Sequence, residues 1–522
     1  MVSLALGDVE APGMKERAAG EERAARRPFW RTAQATRASV VIDADDYFAA
    51  ARSAMLKAER RILLIGWDFD ARIRFAGAEQ DAGPPTVGAF LTWLVKRNPE
   101  LHVHILRWDV GALKTLFHGR TLLTILRWIR HPQIHLKLDR HHPVAASHHQ
   151  KIVVIDDCMA FCGGIDMTRG RWDTRAHGDH APRRVEPNGK PHGPWHDAAM
   201  ALEGPVARAL GDVGRERWNA AGGRPLEAID GRSDCWPETL RADFIDVPVG
   251  ISRTLPHLDD QEPVHEIEAL YVALIARARR MIYAESQYFA SRRVAEAIAR
   301  RLQEPDGPEV VIVNPTTADG WLEPVAMDTA RARLVAALRE CDPYRRFRVY
   351  HPFTASGAPI YVHAKITIID DRVIRVGSSN FNNRSLRLDT ECDVTIDAAA
   401  AVKSVEAASV IAGIRDGLIA EHLGVHRTMV SAQLAQTGSL IETITALQTA
   451  GRSLRDYRLP ELSSLGEWLA DTKLLDPEGP DEMFEPLSRR TSLLFHLRHR
   501  HGAFKRRSAP KLASRSDRAS QA

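Results

Sequence analysis

The sequence predicts an α/β protein made of two duplicated halves. Short apolar segments ending in Gly or turn residues alternate with helical segments, the pattern of α/β layers. One chemical pattern occurs twice, 214 residues apart. A stretch rich in Gly, Pro and acidic residues separates the copies. The expected organisation is a flexible arm over 1–38, a first half over 39–222 and a linker over 223–255. A second half follows over 256–425, then a helical C-terminal region with a basic tail over 426–522.

SVVIDADDYF (39–48) opens the first half. In RRILLIGWDFD (60–70) the run ILLIG is short, apolar and Gly-terminated, which predicts a buried strand. LHVHILRW (101–108) predicts another, and HHQKIVVIDDCMAFCGG (148–164) reads as strand, tight Asp-Asp turn, strand. Residues 171–194, rich in Gly, Pro, His and charge, predict a long loop of the kind that often serves function. In the second half EIEALYVALIARARR (266–280) predicts a helix feeding the strand in MIYAESQYF (281–289). EVVIVN (309–314) and RFRVYH (346–351) predict two more strands.

An apolar fraction of 44% with 26% charge is that of a globular protein. No run of 18 apolar residues occurs, so membrane contact is expected to be peripheral. The first residues show no basic segment followed by an apolar core, hence no expected signal peptide, although leaderless export stays open. Five cysteines without a CxxC suggest neither a disulfide framework nor a zinc site, which fits a reducing, cytoplasmic setting. A net charge of +4 leans weakly toward anionic partners. Only 12 of the 71 cationic residues are lysine, and Lys365 is the sole lysine between Lys190 and Lys403. A lysine kept among arginines suggests a need for a compact point charge rather than a planar fork.

The repeated pattern is His149-x-Lys151-xxxx-Asp156, then Gly163, Gly164 and Asp166. Its copy is His363-x-Lys365-xxxx-Asp370, then Gly377, Ser378 and Asn380. On a strand, residues i and i+2 share a face, so each His projects with its Lys. Each Asp falls on the other parity at a turn, and Asp156 and Asp370 read as turn caps accepting backbone hydrogen bonds. After six intervening residues Gly163, Gly164 and Gly377 allow close backbone approach. Ser378 and Asn380 offer donors there, with Asp166 in the place of Asn380. A His-Lys pair with small donors suits a phosphoryl group: imidazole attacks phosphorus or moves a proton, and ammonium neutralises oxyanion charge. Two copies supply one histidine to attack and one to protonate the leaving oxygen.

At these residues the chain resembles the phospholipase D superfamily, over roughly residues 39–425. GWDFD (66–70), RWDT (171–174), PWHD (194–197), ESQYF (285–289) and AEHLG (420–424) resemble its phospholipase D branch. The resemblance implies two α/β/α sandwich halves with one active site at their pseudo-two-fold interface. It implies His149 as nucleophile, forming a phosphohistidine, and His363 as general acid and then base, although the pseudo-symmetry permits the reverse. Lys151 and Lys365 would bind phosphate oxygens, assisted by Ser378, Asn380 and, if paired or through a water, Asp166. Asp197 would orient His149 and Glu391 would orient His363. No metal or other cofactor is implied.

The leading functional expectation is a phospholipase D-type phosphodiesterase releasing phosphatidate and head-group alcohol from glycerophospholipids such as phosphatidylcholine, with transphosphatidylation when another alcohol competes. A cardiolipin synthase-like phosphatidyltransferase, a nuclease with the same apparatus and a non-catalytic lipid-binding protein are the alternatives. The expected partner is a phospholipid membrane surface, with no nucleic acid, and the chain is expected to act as a monomer. His141 and His142 near His148 match no standard metal spacing and read as surface loop. HEIEAL (265–270) lacks the second His of a zinc helix. Trp67, Tyr288 and Phe289 read equally as pocket wall or core. The basic tail, 488–522, reads as solvated, with anionic lipid as its alternative partner.

Overall fold

In the computed structural model the described residues are 27–75, 81, 83–108, 124, 127–143, 146–230, 234–258, 261–318 and 323–460. Residues 1–26 and the basic tail lie outside them.

The first half contains β1 (Arg31–Ile42), α1 (Ala44–Leu56), β2 (Arg61–Gly66), α2 (Val87–Arg97), β3 (His102–Trp108) and β4 (Ile134–Asp139). It continues with β5 (Ile152–Ile155), β6 (Met159–Gly163), β7 (Trp195–His196), β8 (Ala198–Glu203) and α3 (Pro205–Ala220). The second half contains β9 (Phe244–Leu255), β10 (Val264–His265), α4 (Glu266–Arg277), β11 (Met281–Glu285), α5 (Arg292–Leu302), β12 (Glu309–Val313) and α6 (Glu323–Glu340). Then follow β13 (Phe347–Phe353), β14 (Tyr361–Val362), β15 (Ile366–Ile369), β16 (Val373–Gly377), β17 (Glu391–Asp397) and α7 (Ser404–Leu423). Beyond it α8 (Arg427–Thr437), α9 (Leu440–Ala446) and β18 (Ser453–Asp456) complete the described chain.

One sheet runs through both halves in the order β18-β13-β12-β11-β15-β16-β17-β9-β1-β8-β6-β5-β2-β3-β4. Read outward from the β1–β9 pair, the two sides have the same topology, except that β18 adds an edge strand beyond β13. β5–β6 pairs Ile152 with Cys162, and β15–β16 pairs Ile366 with Val376, each position moved by 214 residues. β5, β11 and β15 are buried throughout and β2 in all but its last residue, as sheets covered on both faces require. Helices α1 and α2 cover one face of the first half, and α4, α5 and α6 cover the second. A shared core beneath α3 and α7 joins Leu202, Val249, Ile251, Val376 and Val394 across the halves.

Two expected boundaries are corrected. The arm does not extend to residue 38: β1 begins at Arg31 and pairs with both β8 and β9. The linker does not extend to 255: β9 lies between β1 and β17 and joins the half-sheets. Both segments carry polar residues because the β1–β9 seam exposes part of one face, which hid the alternation that marks a strand. The expected absence of disulfides is also corrected. Cys158 and Cys235 are bonded, with Cα atoms 6.1 Å apart and a sequence separation of 77. The fold returns Ile229 and Cys235 to the first Asp-Asp turn, a proximity that no local spacing signals. The cysteine argument for a reducing compartment falls with it. Among the described residues no helix is long and apolar enough to cross a membrane.

Candidate active site

Each turn between β5 and β6, and between β15 and β16, has two aspartates in the left-handed backbone region: Asp156 and Asp157, Asp370 and Asp371. Aspartate tolerates that region better than most residues. The Asp156 carboxylate accepts from the amides of Glu59, Arg60 and Arg61. Asp370 accepts from those of Arg279, Arg280 and Met281. These carboxylates fasten each hairpin to the neighbouring strand, away from the histidines.

The His-x-Lys triplets precede β5 and β15 instead of lying within them, a correction to the strand reading. Residues 147–149 run beside 389–391 of the other half: Thr390 N–H donates to the Ser147 carbonyl and His149 N–H to the Thr390 carbonyl, both at 3.0 Å. Correspondingly β14 pairs in parallel with β7, and His363 N–H donates to the His196 carbonyl at 2.7 Å. This exchange dictates which carboxylate meets which histidine. His149 Nδ1 lies 3.0 Å from both Glu391 oxygens, and His363 Nδ1 lies 2.7 Å from Asp197 Oδ2. The expected assignment is therefore reversed: Glu391 orients His149, and Asp197 orients His363. Both carboxylates are buried.

Lys151 Nζ donates to the carbonyl of His149 at 2.8 Å, and Lys365 Nζ donates to that of His363. Each ammonium thus sits beside its own histidine. Lys151 Nζ is also 3.3 Å from Asp166 Oδ2. Among the described residues no carboxylate lies at ion-pair distance from Lys365, whose other contact is Gln287 Oε1 at 3.5 Å. Burial pulls the Lys365 ammonium down to about 7, partly offset by Asp197 and reinforced by Lys151. Burial, with Lys151 and Lys365, holds the His149 imidazole well below its ordinary range. Burial, Lys365 and Arg171 do the same to His363.

The donor assignments change as well. Ser378 Oγ–H donates to Glu391 Oε2 at 2.5 Å and accepts from the Cys392 amide, so it steadies the carboxylate of His149 and is not free for phosphate. Asp166 accepts from the Trp67 amide and faces Lys151, which makes it a lysine partner, not a phosphate contact. Asn380 is buried with no hydrogen-bond partner at Oδ1. A Cβ on Gly164 would come within 2.2 Å of Asp197 Oδ1, and one on Gly377 within 1.9 Å of Asp393 Oδ1, so both glycines admit a carboxylate against the backbone. Gly163 packs on Ala199 in the same way.

Several residues here were not singled out in the sequence. Trp195 stacks on Tyr361 at 4.6 Å, lies 5.2 Å from the His363 ring and carries the Arg171 guanidinium on its other contact, 4.0 Å from the ring centroid. Gln287 bridges Lys365 and Tyr361. The flanking motifs supplied the signal, since Arg171, Trp195 and Gln287 all lie in them. His148 is buried against Thr390 Oγ1 and, mainly through burial, held down to about 3. Trp67 stacks on Trp108, and Phe289 is core between Phe347 and Phe381.

A phospholipase D family model matches residues 54–235, and one described as "Cardiolipin synthase, PLD-like domain" matches 271–408. Phospholipase D A of Dictyostelium discoideum is 27% identical over 66% of this chain and 31% of its own length. Phospholipase D zeta 2 of Arabidopsis thaliana is 24% identical over 76% of this chain and 54% of its own. This chain thus spans about a third to a half of the length of these relatives. The crystal structure of a phosphatidylserine synthase from Haemophilus influenzae Rd KW20 superposes with a TM-score of 0.51 at 13% identity, covering 82% of this chain and 99% of that one, a likeness of fold. With one such match on each half, and paired His-Lys sites facing each other across the seam, the chain belongs to the phospholipase D superfamily.

Proposed function

We propose that this protein is a phospholipase D-type phosphodiesterase that works peripherally on a phospholipid surface, hydrolysing glycerophospholipids such as phosphatidylcholine to phosphatidate and the head-group alcohol. The carrying observation is the crossed pairing, which gives each of two histidines its own buried carboxylate and its own lysine. His149 is the nucleophile: its side chain is 16% exposed against 6% for His363, and its imidazole is held neutral, with Nε2 free to attack phosphorus. As the P–O bond to the head group breaks, His363 Nε2 gives its proton to the leaving oxygen, and Asp197 stabilises the imidazolium that precedes this step. The incoming phosphodiester anion supplies the negative charge that favours this protonation in a site otherwise dominated by lysines. Lys151, Lys365 and the Asn380 amide hold the non-bridging oxygens. Water, deprotonated by His363, then attacks the phosphohistidine and releases phosphatidate. A primary alcohol in its place yields the phosphatidyl-alcohol.

The test is incubation with phosphatidylcholine vesicles and a primary alcohol. Phosphatidate and phosphatidyl-alcohol are expected, and both should vanish in His149→Ala and His363→Ala. Lipid left intact while plasmid DNA is cut would replace this reading with a nuclease. Lipid bound but unchanged would replace it with a lipid-binding protein.

A further inference from the structure

Behind Asp197, four buried side chains converge from four parts of the chain. They are Asp43 at the end of β1, His177 in the 171–194 loop, His196 in β7 and Glu421 in α7. His177 Nε2 is 3.4 Å from Asp43 Oδ2 and 3.2 Å from Glu421 Oε1. His196 Nδ1 is 3.2 Å from Asp43 Oδ1 and 3.0 Å from Glu421 Oε1. Four donors each about 2.0–2.1 Å from a tetrahedral ion stand about 3.3 Å from one another. From these distances we infer that Asp43, His177, His196 and Glu421 form a binding site for one divalent transition-metal ion, with zinc as the best match to two imidazoles and two carboxylates.

Three further observations support a metal over a simple set of hydrogen bonds. First, His196 Nδ1 and Asp43 Oδ2 are buried and lack a hydrogen-bond partner, although Asp43 Oδ1 and Glu421 Oε1 lie close to the nitrogen and His177 Nε2 lies close to the oxygen. The neighbouring oxygens stand off the His196 ring-nitrogen axis, where the other ligands of an ion on that axis would be. Second, each imidazole gives its remaining nitrogen to an outer carboxylate: His177 Nδ1 to Asp173 Oδ2 at 3.1 Å and His196 Nε2 to Glu285 Oε2 at 2.7 Å. That arrangement fixes the tautomer and aims the lone pair, as around protein-bound metals. Third, the atoms facing away from the cluster are satisfied. Glu421 Oε2 accepts from Arg175, Asp173 from Arg184 and Glu285 from His422, and Asp43 Oδ1, at the edge of the cluster, accepts from the Asp197 amide and leaves Oδ2 for the ion. Two carboxylates and a dication then leave the ligand set neutral.

The ion would be structural. Its four ligands are buried, and it fastens β7, which leads into Asp197, to the end of β1, the long loop and α7. It is a positioning device for His363, independent of the lipid substrate.

The test uses the full-length protein and reads metal, not turnover, so it stands apart from the phosphodiesterase reading. Elemental analysis should find about one equivalent of zinc. After chelation, Co2+ should bind in the same ratio with the intense visible absorption of a tetrahedral site, and Zn2+ should raise the melting temperature. His177→Ala should lose the ion while His149→Ala keeps it. Should His177→Ala fail to fold, Asp173→Asn decides: removing an outer partner should weaken metal binding by about 10–100-fold. Metal-free protein that takes up neither ion overturns the inference and leaves an imidazolium–carboxylate network in its place. So does metal content unchanged in His177→Ala, or affinity unchanged in Asp173→Asn.

Discussion

Glu391→Gln separates the crossed arrangement of histidines and carboxylates from one confined to each half. The substitution keeps the side chain's shape and a hydrogen-bond acceptor but deletes the charge 3.0 Å from His149 Nδ1. An opposite charge this close in a buried site moves a pKa by about 1–3 units. At about 1.4 kcal/mol per unit, His149 should lose about 1.4–4 kcal/mol of imidazolium stabilisation. That corresponds to a roughly 10–1,000-fold fall in any step in which His149 carries positive charge, including departure of the head group from the attacked phosphorus. His363 should change little, because its partner is Asp197 at 2.7 Å. Imidazole NMR titration of histidine-labelled protein reads this directly, with the two rings assigned through His149→Gln and His363→Gln. Glu391→Gln should shift the His149 resonances alone, and Asp197→Asn those of His363 alone. The opposite result, Glu391→Gln moving His363 and sparing His149, would refute the crossed geometry.

Other consequences are as direct. Lys365 is charged below its pKa, which burial pulls down to about 7. In the free enzyme kcat/KM should therefore fall as pH rises through about 7, while Lys365→Met should abolish turnover without lowering the melting temperature, since a buried ammonium is removed. The acid limb should lie well below the usual histidine range, because the free His149 imidazole is already held neutral there. Gly164→Ala places a methyl against Asp197 Oδ1 and should cut activity with folding largely kept, as measured by turnover beside circular dichroism. Reducing Cys158–Cys235, which closes a 77-residue separation, should cost up to about 4.5 kcal/mol in denaturant titration.

What was legible in the sequence was whatever is local or repeated. Apolar runs marked β2, β3, β5 and β12, and the 214-residue offset marked the paired hairpins, because each half packs the same strands around the same turn. Long-range partners were not. Asp197 follows His149 closely in sequence and invites pairing with it, yet Glu391, 242 residues from His149, is its neighbour. The cause is the backbone exchange of 147–149 with 389–391 and of β14 with β7, a property of the seam that neither half encodes alone. Ser378 looked like a phosphate donor because its residue type allows it; its hydroxyl is committed to Glu391. The motifs at Asp173, His196, Glu285 and His422 looked like separate signatures and meet in one buried cluster.

The same exchange explains why the duplication is kept whole while its copies diverge. Neither half can build a working histidine, since each imidazole takes its carboxylate from the other, so separation of the halves would empty both positions at once. Within that constraint the electrostatics are not symmetric. Asp166 already pairs with Lys151, whereas the matching position opposite Lys365 holds the uncharged Asn380. Ser378 braces Glu391, while the matching Gly164 leaves room for the Asp197 carboxylate. A reaction with one attacking and one protonating histidine needs such a difference. Asp166 partly neutralises Lys151, whereas among the described residues no carboxylate lies at ion-pair distance from Lys365, so the less compensated lysine sits beside His363. The symmetric fold brings the two histidines together, and in the proposed reaction these few substitutions would give them different tasks.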